Sequence, residues 1–126
     1  MKLLLLAAAG GALGSSARYL VNVIAGKLFG LGFPWGTLIV NVAGCFIMGL
    51  IIGLGALKWP MPNEWRVFLT TGILGGFTTF SAFSLDFAVL FERKDYGHAG
   101  LYLVGSVGLS ILALFAALYL VRSWQT

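Results

Sequence analysis

Charge is the scarcest thing in this chain. Lys and Arg number 8 and Asp and Glu number 4 among 126 residues, 10% in all. A soluble domain carries about 25%, so most of this surface is not built for water. The shortage extends to chemistry. With one cysteine, Cys45, there is no intramolecular disulfide and no multi-cysteine metal site. Lying inside an apolar run, that cysteine reads as a small buried side chain. The single histidine, His98, falls in a connection, and the apolar runs hold no His, Glu or Lys in their middles. No nucleophile–base pair, metal cluster or phosphate-binding loop can be assembled, so an enzyme is not expected. The net charge of +4 does not point to nucleic acid either. The basic residues are scattered singly, mostly at the ends of apolar runs, where membrane flanks place them.

What is plentiful is apolar length. The composition is 60% hydrophobic, with a mean hydropathy of +0.97. A spanning helix needs about 20 mostly apolar residues, and four stretches qualify: about 3–24, 35–57, 65–91 and 99–121. They leave short connections and no soluble domain, so one four-helix transmembrane domain over 1–126 is expected. Pro34, Pro60 and Pro62 fall in connections, where a missing N–H is harmless. Trp35, Trp59, Trp65 and Trp124 sit at expected helix ends, as an aromatic belt requires. The opening residues, from Met1 through Lys2 to Ala9, imitate a signal peptide. They continue into Gly10, Gly14 and Leu20 as one longer span, so a retained first helix is expected. Of the 18 glycines, Gly10 and Gly14, Gly49 and Gly53, and Gly72 and Gly76 stand four apart on one helix face. Between lipid tails, such faces let helix backbones approach closely.

The charges also speak to orientation. The side holding both termini carries Lys2, Lys58, Arg66 and Arg122. The other carries Arg18, Lys27, Arg93 and Lys94. An even split gives the positive-inside rule nothing to act on, so the chain is expected to insert both ways up. Two inverted copies then pair as an antiparallel dual-topology homodimer, which also covers polar stripes that lipid would penalise.

Those stripes are regular. Thr37 and Asn41 lie four apart on the second span; Tyr102, Ser106 and Ser110 follow at i, i+4 and i+8 on the fourth; Gly14, Arg18 and Asn22 do the same on the first. They serve either as interhelical glue or as the lining of an ion path. All offer N–H or O–H donors, and the only carboxylate deep in a span is Asp86, so an anion is favoured. In the third span, Gly75-Gly76-Phe77-Thr78-Thr79 sits at the centre. Paired glycines followed by paired threonines weaken a helix there, and a mid-membrane break frees backbone groups that protein or an ion must satisfy. Phe80 and Phe83, three apart, face one way, and phenyl edges carry partial positive charge.

The run from Gly75 to Ser84, GGFTTFSAFS, resembles the signature of the Fluc family of fluoride channels, also called CrcB. Gly36-Thr37-Leu38-Ile39-Val40-Asn41 is similar to that family's second-helix motif, and Gly14 with Arg18 to its first. The resemblance covers essentially the whole chain. It implies an all-α membrane protein whose third helix is broken mid-membrane. It implies a dual-topology homodimer exporting cytoplasmic fluoride by passive conduction through two pores, with a structural sodium ion at the dimer centre. By position, Phe80 and Phe83 become pore-lining aromatics and Asn41 the buried amide that hydrogen-bonds fluoride. Thr37, Tyr102, Ser106 and Ser110 join the polar track, and Arg18 stands at a vestibule. The backbone carbonyls of Gly75 and Thr78 hold sodium. Two departures are visible: Ala82 where the family often has Thr or Ser, and Asp86 where Glu is common. The implied partners are fluoride, an inverted second copy and the lipid bilayer of a bacterial inner membrane. A small multidrug exporter would need a membrane-embedded carboxylate in the first helix, where this chain offers Arg18. A structural subunit would need neither the broken helix nor the donor stripes.

Overall fold

The computed structural model describes residues 1–57 and 61–124. Lys58, Trp59 and Pro60, expected in the second connection, lie outside the described residues. The described chain is helical: α1 (Lys2–Phe29), α2 (Trp35–Leu57), α3 (residues 63–77), α4 (Phe80–Glu92) and α5 (Tyr96–Trp124). Taken together, α3 and α4 form one span. Four segments are long and apolar enough to cross a membrane: Lys2–Phe29, Trp35–Gly55, Asn63–Glu92 and Tyr96–Trp124. The chain is a multi-pass membrane protein.

The outer spans run further than hydropathy alone suggests. Helix α1 continues past residue 24 to Phe29, with Lys27 in its last turn, where a cation suits the helix dipole. It stops at Gly30, whose φ of 80° and ψ of −176° are open only to glycine. Between α4 and α5 only Arg93, Lys94 and Asp95 intervene. The Lys94 N–H donates to the Phe91 carbonyl and the Asp95 N–H to the Leu90 carbonyl, each at 3.0 Å. This is the pattern of a Schellman cap, with Lys94 rather than glycine in the left-handed position, at φ 62°. Asp95 then opens α5, its carbonyl accepting the Ala99 N–H at 2.9 Å. Its carboxylate meets His98 Nδ1 at 2.8 Å, and that hydrogen bond holds the Asp95 carboxyl below its ordinary range.

The glycine pairs mark two helix seams. A Cβ on Gly10 would sit 2.6 Å from the Phe68 carbonyl oxygen and 2.8 Å from Gly72 Cα. One on Gly76 would sit 2.6 Å from the Gly11 carbonyl oxygen. So α1 lies backbone to backbone on α3, and only hydrogen fits between them. On the other side α2 runs along α5. There a Cβ on Gly49 would meet the Leu114 carbonyl oxygen at 2.6 Å, and one on Gly53 the Val121 side chain at 3.2 Å. Within α3 the turns over Val67–Leu74 are wider than α-helical, and the Gly75 N–H still reaches back five residues to Thr70. Between α4 and α5 the core is formed by Phe83, Leu90, Ala99 and Tyr102, with Phe33, Leu38 and Phe87 packed against it.

Candidate functional site

The third span is interrupted at Thr78 and Thr79, which are extended at φ −85°, ψ 156° and φ −154°, ψ 124°. The glycines just before keep helical angles; Gly75 has φ −62° and ψ −37°. Threonine chemistry stabilises the gap. Thr78 Oγ1 donates to the Leu74 carbonyl at 2.9 Å, closing α3. Thr79 Oγ1 accepts the Ala82 N–H at 3.2 Å, capping the N-terminus of α4.

Asn41, reaching in from α2, clamps the same point. Its Nδ2 donates to the Thr79 carbonyl at 3.0 Å, and its Oδ1 accepts the Thr79 N–H at 2.8 Å. Because a peptide N–H can only donate and a carbonyl only accept, this pairing fixes which way the amide faces. One Nδ2–H remains beyond the clamp. Arg18, which the sequence puts at a vestibule, projects from α1 onto the interruption. Its Nε donates to the Gly76 carbonyl at 3.0 Å, placing a cation at the C-terminal end of α3.

These bonds redirect donors that a continuous helix would use. The Thr79 N–H goes to Asn41 instead of the Gly75 carbonyl, and the Ala82 N–H goes to Thr79 Oγ1 instead of the Thr78 carbonyl. The carbonyls of Gly75, Gly76 and Thr78 all lose their i+4 donors across the gap, and Arg18 takes up that of Gly76. Gly75 and Thr78 are the pair that the family resemblance implies as sodium ligands. Oxygen donors of this kind suit a hard cation.

Asn41, Cys45, Phe80, Phe83, Ser106 and Ser110 line a cavity of about 250 Å³ beside the interruption. The hydroxyls of Ser106 and Ser110 are buried and have no hydrogen-bond partner among the described residues. Phe80 and Phe83 stand 5.5 Å apart with ring planes tilted by 50°, but differ in burial: Phe83 is 6% exposed and Phe80 is 75% exposed. Towards the α1–α2 connection, Phe83 packs on Tyr102 at 5.1 Å, and Tyr102 meets Phe33 edge-on at 5.5 Å. Tyr102 is fully buried. Its hydroxyl donates to Asp86 Oδ2 at 3.0 Å, and the Thr37 side chain is also within hydrogen-bond reach. Beyond Tyr102 lies a second cavity of about 260 Å³, whose walls include Asn22, Thr37, Asp86 and Arg93.

Of the site residues named in the sequence analysis, six gather at the inner cavity: Asn41, Thr78, Phe80, Phe83, Ser106 and Ser110. Thr37 lines the outer cavity, and Tyr102 lines neither: it packs on Phe83 of the inner one and hydrogen-bonds Asp86 of the outer one. Cys45 was not foreseen as a wall of the inner cavity. The signal was present, since Thr37, Asn41 and Cys45 follow one another at i, i+4 and i+8. Asp86, noted from sequence as the one carboxylate deep in a span and as a departure from the family, accepts the Tyr102 hydroxyl.

Comparison with known proteins covers nearly the whole chain. The sequence model of the family described as "CrcB-like protein, Camphor Resistance (CrcB)" matches residues 5–118. A protein of Nitrobacter hamburgensis named fluoride-specific ion channel FluC 2 is 52% identical, over 94% of this chain and 95% of its own length. The fluoride-specific ion channel FluC of Rhodospirillum centenum is 52% identical over 98% of both chains. That of Cereibacter sphaeroides is 54% identical, over 97% of this chain and 96% of its own.

Proposed function

The chain belongs to the CrcB family, and from that premise we propose that it is a fluoride-selective channel of a bacterial inner membrane, working as a pair of inverted copies. Its relatives are named as ion channels, not as enzymes. The observation that carries the reading is the pair of orphan hydroxyls, Ser106 and Ser110, facing a cavity with aromatic walls. A buried hydroxyl without a partner costs about 1–3 kcal/mol, and an anion or water in the cavity removes that penalty. Fluoride holds its water tightly, so a path for it must supply compact donors in exchange. Ser106, Ser110 and the spare Nδ2–H of Asn41 are such donors, and the edges of Phe80 and Phe83 add partial positive charge. The Tyr102 proton is committed to Asp86, so this side chain acts in the path as a positioned wall. An ion passing between the outer and inner cavities has to negotiate it. No proton coupling is required, and conduction is passive.

Two features support the inverted partner. The Phe80 ring is 75% exposed at mid-span, and Thr71, Ser81 and Ser84 are exposed in the same span. Polar groups facing hydrocarbon are costly, and a second copy laid over this face covers them. A sodium ion at the centre of such a dimer would be held by the Gly75 and Thr78 carbonyls, whose helical donors have been taken elsewhere. Its chemistry there is structural: positive charge that fixes backbone oxygens at the interruption.

The test is efflux from liposomes reconstituted with the purified protein. Fluoride-loaded vesicles should discharge rapidly to a fluoride electrode while chloride-loaded vesicles stay sealed. Equal release of both ions would end the selective-channel reading.

A further inference from the structure

We propose that Cys45 is a soft-metal site inside the inner cavity, where a thiophilic cation such as Hg(II) binds its Sγ and obstructs the path. This rests on the reading of that cavity as the ion path. The side chain is half-buried rather than sealed in the core, and it shares the cavity wall with Asn41, one helical turn away on the same face of α2.

A second observation makes the thiol reachable from water. Ser106 is 4% exposed, and its Oγ, like that of Ser110, has no partner among the described residues although both line this cavity. Buried hydroxyls in a cavity of about 250 Å³ call for ordered water or a hydrated ion. Mercuric chloride, a neutral molecule in solution, meets on entering this cavity one soft ligand, the sulfur, among hard hydroxyl and amide groups. Soft cations select thiolate over such neighbours. With mercuric chloride the Cys45 S–H bond breaks and an S–Hg bond forms. The proton passes to water and one chloride leaves the metal, with no change of oxidation state. The adduct then occupies space beside Phe83, Ser106 and Ser110 that a passing anion needs.

Because the chain has one cysteine, the experiment is clean. Full-length protein in fluoride-loaded liposomes is treated with mercuric chloride, and intact mass and fluoride efflux are both read. C45S and C45A are treated in parallel, each compared with its own untreated rate. The expected result is one mercury per chain, a drop in efflux of roughly tenfold or more, recovery with excess small thiol, and no response in either variant. Mercury bound without any change in efflux would overturn the proposal, placing the sulfur off the path. Mercury bound only after denaturation would also overturn it, because the thiol would then be covered in the assembled protein. Untreated protein that releases no fluoride would count against the channel reading instead, while the mass measurement still decides whether the thiol meets the cavity's water.

Discussion

Replacing Asn41 with alanine removes both halves of a clamp and leaves the Thr79 N–H without a partner, while the Thr79 carbonyl, at the N-cap of α4, keeps the first helical bond. An orphaned peptide N–H costs about 1–3 kcal/mol in a water-based reference. The membrane reference lowers this. Polar pairs between membrane helices average about 0.6 kcal/mol because the separated helices find other partners. Here the Thr79 N–H regains the Gly75 carbonyl if the two half-helices zip into one. A loss of about 1 kcal/mol is therefore expected, together with a shift of the third span towards continuous helix. Asn41→Asp behaves differently. It keeps an acceptor for the Thr79 N–H at 2.8 Å but sets a carboxylate oxygen against the Thr79 carbonyl, where Nδ2 stood at 3.0 Å. It also puts negative charge in the wall of the cavity. Denaturant titration in detergent reads the stability, and liposome efflux reads conduction. Asn41→Ala should lose stability and flux together, while Asn41→Asp should lose flux most severely and retain the dimer. If Asn41→Ala unfolds at the wild-type denaturant concentration, the clamp carries no weight and this argument fails.

Other outcomes can be stated more briefly. Gly10→Ala should destabilise by about 1–3 kcal/mol through overpacking against Phe68 and Gly72, as read by thermal unfolding in detergent. In the same assay Gly11→Ala, whose Cβ meets nothing within 4 Å among the described residues, should be neutral or stabilising. Lys94→Gly relieves a left-handed side chain at φ 62° and should raise stability by about 1 kcal/mol; a lower unfolding temperature would contradict that. The Asp95 carboxyl is held down by His98, so its contribution is present above the unfolded-state pKa. It is lost as pH falls through the lower folded value. Unfolding temperature measured across the acid range should lose that component in Asp95→Asn. Ser106→Ala with Ser110→Ala should slow fluoride efflux at least about tenfold without altering the oligomeric state, consistent with the loss of more than about 1.4 kcal/mol of ion stabilisation.

The sequence was most legible where one force dominates. Hydrocarbon tolerates only long apolar helices, so the four spans could be read from runs with little charge. The four-apart glycines likewise marked both helix seams. At the interruption several effects compete, and there legibility drops. Gly75 and Gly76 draw attention as weak helix formers, yet both stay helical. A Cβ on Gly76 would meet the Gly11 carbonyl, which gives that glycine a packing role against α1. The gap opens at Thr78 and Thr79 because their hydroxyls satisfy the helix ends and Asn41 satisfies the peptide between. Helix propensity has no term for an amide arriving from another helix. The wide turns of Val67–Leu74 were equally hidden, since nothing in that apolar run distinguishes five-residue from four-residue bonding. Arg18 was visible as a charge within a span, but its partner is a carbonyl freed only by the gap.

That guanidinium has a bearing on biogenesis. An arginine near the middle of a lone span raises its insertion free energy by about 2.5–3.5 kcal/mol. The Gly76 carbonyl that receives it is made 58 residues later. At about 5–20 residues per second, the first span spends several seconds with an unanswered cation. Until the third arrives, the first is a poor guest of the bilayer, best kept beside the insertion machinery. Synthesis order alone thus makes the start of the chain wait for its own second half before it can settle.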